Sequence, residues 1–277
     1  MPTYGGNAFE ILSQVRLGLN EYSAGLVQAT DTSGKFSNLE LMQHINNAQY
    51  FLWGILFKAF PEYFLTSASL TFTSSVATLP SDCFKIKDIV DSDGYPIKPI
   101  SVIQRHIDGS GSSHQYYRYG NTLRIDADSV TDTGTIWYYS RCRELNTGKA
   151  SGTTTLATTA KAIADYYNSM IIENWTDSTV GTISAYLATR AFTLTGTTLA
   201  TGEYYGIVSD LPEIMQPLIA SRAVLTMKMS PRVPIALTVM DKSNFAEEVS
   251  VAMQSFAGTL DGDADIGGLF NDFESII

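Results

Sequence analysis

Between Ser37 and Phe60 apolar residues recur at Leu41, Met42, Ile45, Ala48, Leu52, Ile55, Leu56 and Ala59. This three-and-four spacing places them on one face of a single long amphipathic helix, and that face demands a core to cover it. Ser37 followed by Glu40 has the form of a capping box, and Pro61 ends the helix by driving the residue before it out of the α region. The polar face carries Asn38, Gln43, His44, Asn46 and Asn47 in place of the usual Lys and Glu. Such a row of amides suits contact with another copy of the chain.

A second helix is expected from Asn7, its N-cap, to Tyr22, with Phe9, Leu12, Val15 and Leu19 on one side. Past Ser67 the pattern changes to period two with β-branched and aromatic residues. The predicted strands are Ser69 to Ala77, Phe84 to Val90, Ile97 to Ile103, His114 to Arg118, Thr122 to Asp126 and Thr135 to Ser140. Asp91-Ser92-Asp93-Gly94, Gly120-Asn121 and Asp132-Thr133-Gly134 supply the turn chemistry between them. From Ala150 to Ile207 the composition moves to Thr, Gly, Ala and Tyr, with Gly148 to Gly152 resembling a hinge, so a small β module is expected there. Helical spacing returns from Leu211 to Leu225, and again over Phe245, Val249, Ala252, Met253 and Phe256, with Gly258 placed for a C-cap.

The fold class read from this order is α+β, with N- and C-terminal helices forming a helical bundle and antiparallel β modules inserted between them. The expected parts are N-terminal helices over 1–66, an antiparallel β module over 67–149, an inserted β module over 150–207, C-terminal helices over 208–258 and an acidic-apolar tail over 259–277. That tail holds five acidic residues and no basic one beside Ile266, Leu269, Phe270, Phe273, Ile276 and Ile277. It reads either as a frayed terminus or as a segment that orders on a partner.

At 277 residues and 44% hydrophobic content the chain has enough apolar surface for a real interior. No apolar run reaches the roughly 18 residues of a membrane span, and the N-terminus lacks the pattern of a signal peptide, so a soluble cytoplasmic protein is expected. The net charge is −10, and beyond Ile207 ten acidic residues face four basic ones. Without clustered Lys and Arg, tight binding of nucleic acid is not expected.

Catalytic and cofactor chemistry finds no foothold. His44, His106 and His114 lack carboxylate or cysteine neighbours at ligand or triad spacing, and Cys83 and Cys142 cannot complete a zinc site alone. Asp261, Asp263 and Asp265 mimic the start of a calcium loop, but Ile266 stands where glycine is required. The expectation is a non-enzymatic protein with no catalytic, cofactor or metal residues. The tyrosines at 116, 117, 119, 138, 139, 166, 167, 204 and 205 offer large amphipathic rings, which leaves open an accessory tail protein with a glycan-binding β module.

The Asn46-Asn47-Ala48 helix, the Phe60-Pro61-Glu62-Tyr63-Phe64 exit, Leu79-Pro80-Ser81-Asp82 running to Lys85-Ile86, and Leu211-Pro212-Glu213 together resemble the head-to-tail adaptor (connector) proteins of tailed bacteriophages. The stretch Asp165-Tyr166-Tyr167-Asn168-Ser169-Met170-Ile171-Ile172 is similar to a small β module of phage virion proteins. The resemblance implies a structural virion protein at the head-tail interface, assembled from the host cytoplasm into a ring, commonly a dodecamer, beneath the portal protein. It further implies contact with tail or nozzle proteins and passage of dsDNA without sequence-specific binding. In that family the C-terminal segment reaches towards the portal, which makes Phe270, Phe273, Ile276 and Ile277 the expected portal-interaction residues. An acidic, base-poor chain suits a channel that lets a polyanion slide.

Overall fold

The computed structural model describes residues 6–21, 35–105, 113–127, 129–230, 232–233 and 237–259. Four α-helices lie among them: α1 (Ala8–Gly18), α2 (Asn38–Ala59), α3 (Pro217–Lys228) and α4 (Val239–Thr259). The long amphipathic stretch is α2, which buries Leu41, Met42, Ile45, Ala48, Leu52, Trp53 and Leu56. Ser37 Oγ accepts the Glu40 N–H at 3.1 Å, and Pro61 opens a 3-10 turn through Phe64. Asn7 caps α1, its side-chain oxygen accepting the Phe9 N–H at 2.8 Å. Leu211 does not begin a helix. Pro212 caps a 3-10 turn (Glu213–Met215) before α3 starts at Pro217, and Gly258 lies inside α4 instead of capping it. Among the described residues no helix is long and apolar enough to cross a membrane.

The chain divides into two compact units, Phe60–Arg141 and Met1–Ala59 with Cys142–Ile277. The unit at Phe60–Arg141 holds β1 (Leu65–Phe72), β2 (Val76–Thr78), β3 (Cys83–Asp91), β4 (Lys98–Pro99), β5 (Gln115–Tyr119), β6 (Thr122–Ile125) and β7 (Asp132–Ser140). One sheet has the order β1-β7-β3 and the other β2-β6-β5-β4. Alternate residues from both, including Leu70, Phe72, Ile89, Leu123, Ile136 and Tyr138, meet in one core. The strand predicted over Ile97 to Ile103 shortens to β4, because a 3-10 turn capped by Ser101 and Gln104 occupies Val102–Gln104. Gly120, at φ +60°, makes the tight turn between β5 and β6.

The other unit contains the helices together with a five-stranded antiparallel sheet. Its strands are β8 (Thr147–Lys149), β9 (Ile171–Asn174), β10 (Thr179–Tyr186), β11 (Phe192–Thr195) and β12 (Tyr204–Ile207), in the order β11-β10-β9-β12-β8. The stretch predicted as a hinge around Gly148 is therefore an edge strand. Tyr166 and Tyr167 lie in a turn and not on a strand, so both rings enter the core, 4.9 Å apart and edge to face. Tyr186 packs on Tyr167 in the same way, and its hydroxyl donates to Lys161 O.

The expected helical bundle formed by the two ends, with β modules inserted between them, is overturned. The protein is α+β, but three sheets carry much of the fold and the helices do not frame them as a bundle. The reason lies in what α1 covers. Although α3 packs against α1, α2 and α4, α1 also lies on β12 and β8. Phe9 stacks on Trp175 at 4.7 Å, and Asn7 bridges to Val208 just past β12. The apolar stripe of α1 is thus shared between helices and sheet.

Burial of the tyrosines sets an alkaline limit on this unit. Burial is the main cause that holds the Tyr186 hydroxyl up to about 12 and pushes Tyr167 and Tyr205 above that range. An unfolded tyrosine ionises near pH 10, so this contribution to stability is complete below about pH 10 and is lost as the pH climbs towards 12. The expected result is cooperative: tyrosinate absorbance should jump together with loss of far-UV dichroism. Smooth titration of every tyrosine with the fold intact would contradict the buried cluster.

Candidate functional site

A cleft of about 730 Å³ opens within the helical unit, between the N-terminal halves of α1 and α2, the edge strand β8 and the segments around Ala157 and Thr201. Its size falls in the range of ligand and peptide sites. Phe9, Leu12, Met42 and Leu145 give it an apolar floor, and Asn46, Glu144, Lys149, Ser151 and Lys161 are among its polar groups.

The cleft wall is fixed from α2 by side-chain amides. Asn46 donates to Leu145 O at 3.2 Å and accepts from Leu145 N–H at 2.7 Å, which satisfies both backbone groups of one residue. One turn further on, Gln49 donates to Arg143 O at 2.7 Å and accepts from Ser209 Oγ at 2.6 Å. Arg143 forms a fork onto Asp210, with Nε and Nη2 at 3.0 and 2.9 Å from its two carboxylate oxygens. The amides expected to face another copy are in this part internal ties. Gln43 and Asn47 remain exposed.

These ties deliver the chain into β8 in a defined orientation. Ile207 N–H donates to Asn146 O at 3.0 Å and Ala150 N–H donates to Glu203 O at 2.9 Å, with Gly148 opposite Tyr205 between them. Antiparallel pairing alternates bonded and non-bonded positions. Asn146, Gly148 and Ala150 therefore bond towards β12, while Thr147 and Lys149 aim their backbone N–H and C=O groups away from it. Both residues line the cleft. Among the described residues neither has a further backbone partner.

The charges around this edge are unequal. Glu144 is neutralised by Lys161 at 2.8 Å. Lys149 has no ion pair among the described residues, and its ammonium sits 4.9 Å from the Tyr204 ring centroid. Hydroxyls nearby are spent on the backbone: Ser151 Oγ donates to Leu156 O at 2.8 Å and Thr147 Oγ1 to Tyr205 O at 2.6 Å. Tyr205 OH donates to Asn146 Oδ1 at 2.5 Å and accepts from Ala157 N–H at 3.1 Å. The cleft thus offers backbone groups at the β8 edge, apolar contact and one cation outside any ion pair among the described residues.

The residues singled out from the sequence scatter. Phe270, Phe273, Ile276 and Ile277 lie outside the described residues, as do His106 and the Asp261 to Asp265 stretch. His114 Nε2 lies 3.4 Å from Asp91 Oδ2, with Tyr95 edge-on to its ring, a neighbour that spacing alone did not reveal. Cys83 and Cys142 form no disulfide, and burial pushes the Cys83 thiol up to about 11. Of the tyrosines, 116, 138, 166, 167 and 205 are core residues, and 119 is the exposed one. Among the described residues no three His, Cys, Asp or Glu side chains gather closely enough to hold a metal ion. Neither the β8 edge nor the Asn46 clamp was foreseen, because Thr147-Gly148-Lys149 carries no apolar alternation and an Asn at mid-helix does not announce its partner.

No protein-family model matches this chain, and no curated protein matches it.

Proposed function

We propose that the protein is a non-enzymatic structural component of a tailed-bacteriophage virion, a head-to-tail adaptor. Its copies form a ring beneath the portal protein, join capsid to tail or nozzle proteins, and let dsDNA pass without sequence-specific binding. Assembly draws on the pool in the host cytoplasm and ends at the head-tail interface. A dodecamer is the stoichiometry that the sequence resemblance implies, and Phe270, Phe273, Ile276 and Ile277 are the residues proposed to reach the portal.

The observation that carries this reading is the set of sequence motifs from Asn46-Asn47-Ala48 to Leu211-Pro212-Glu213, and apolar surface on the helices agrees with it. Leu17, Leu39, Val239, Met240 and Val251 are each more than half exposed. Spread over three helices, these side chains agree with a protein covered by neighbours but do not by themselves select one. The rival, a glycan-binding accessory tail protein, loses support because most of the tyrosines that would form its platform are spent on cores. Cosedimentation with purified portal rings separates the two. An adaptor pellets with the portal and ignores a glycan array; a glycan binder does the reverse.

A further inference from the structure

We propose that the free edge of β8 takes an extended peptide segment of a partner protein as a sixth strand of the sheet, with an acidic side chain of that segment set against Lys149. The proposal rests on the cleft and does not depend on the adaptor reading.

The backbone makes the first half of the case. Thr147 and Lys149 together offer two N–H donors and two C=O acceptors, aimed away from β12 by the register of the sheet. An open row of this kind is a template for strand addition, and proteins that do not use such an edge cover it, bulge it or guard it. Elsewhere in the chain β3 shows such protection: its pairing with β7 has two register shifts, and Lys85, Lys87 and Asp88 stud its length. Next to the open stretch the backbone is fixed by the Tyr205 bond to Asn146 and, at the preceding outward-facing position, by the Asn46 clamp on Leu145. A preorganised edge loses little entropy on pairing.

The walls decide the occupant. On the helical side Leu39, more than half exposed, presents apolar surface to the cleft. Gly148 puts no side chain against Ala157, whose methyl a Cβ there would meet at a tight 3.0 Å, so β8 stays narrow at its middle residue. Charge selects further, because Lys149 is the cation left over once Lys161 and Glu144 neutralise each other. An alternating apolar and acidic segment satisfies the backbone, the floor and Lys149 together.

The test uses the full chain, isotope-labelled, with capped synthetic pentapeptides alternating valine and aspartate or valine and lysine. Saturable shifts of the Thr147 and Lys149 amide resonances are expected with the aspartate peptide. Binding of the lysine peptide should be weaker, by up to about fivefold for one exposed ion pair. Lys149→Glu, a change at an exposed side chain, should reverse the order. N-methylation of the aspartate peptide at alternate residues should abolish the shifts, since backbone donors carry the pairing. Absence of shifts at millimolar peptide, or shifts untouched by N-methylation, would overturn the proposal. So would a doubling of mass without peptide that protects the same two amides from exchange, since the edge would then belong to a second copy.

Discussion

Gly206→Ala is expected to destabilise the protein by about 3 kcal/mol, a fall in Tm of roughly 6–12 °C for a unit of this size. Gly206 sits in β12 directly beneath the start of α1. A Cβ there would overlap the Asn7 side-chain oxygen and lie 2.9 Å from Phe9 N. Asn7 cannot simply move away, because it does two jobs. Its oxygen caps Phe9 N–H at 2.8 Å and its amide donates to Glu173 Oε2 at 2.5 Å. Glu173 is buried, and that burial already pushes its carboxyl above the usual range. Displacing Asn7 therefore loses a helix cap and leaves a buried carboxyl without its donor, two costs that add to the steric one. Asn7→Gly alone should also destabilise, but combined with Gly206→Ala it should cost less than the sum, since the clash is gone. Thermal unfolding of the four proteins measures that coupling. An unchanged Tm for Gly206→Ala would refute the close docking of α1 on the sheet.

Arg16→Ala is expected to cost about 3–5 kcal/mol, the scale for removing one partner from a buried charged network. The Arg16 side chain is wholly buried in α1. Its Nε donates to Asn38 Oδ1 at 3.1 Å and its Nη2 to Phe36 O at 3.1 Å, while Nη1 lies 3.5 Å from Glu21 Oε2. The guanidinium thus ties the end of α1 to the residues that start α2. Truncation takes a donor from the Asn38 side-chain oxygen and from Phe36 O, and the cation from a nearly buried carboxylate, at once. Arg16→Met, which keeps the stem and drops the charge, should remain destabilised. Adding Glu21→Leu should recover much of the loss, because an apolar pair replaces an orphaned charge. Denaturant titration reads both steps. If Arg16→Ala unfolds at the wild-type midpoint, the network carries no stability.

These two sites show what could and could not be read from the sequence. Periodicity located α2 nearly to the residue, and Asn7, Ser37 and Pro61 marked boundaries for local reasons. Local signals do not say what an apolar stripe packs against. Phe9 looks the same whether it faces another helix, as expected, or Trp175 and Tyr204, as found. Gly206 and Arg16 carried no signal of their own, because close approach and burial are set by residues distant in sequence. Tyr166 and Tyr167 show the same limit: on a strand only one of two adjacent rings could enter a given core, but the turn they occupy lets both enter one. The β8 edge was invisible because its role belongs to the backbone, and Thr-Gly-Lys in isolation reads as a linker.

The adaptor reading is tested most directly by electron microscopy of the purified chain mixed with its portal. A symmetric collar beneath the portal ring, with density for one copy of this fold per repeat, is the result the account predicts. Portal rings that stay bare at saturating protein would contradict it.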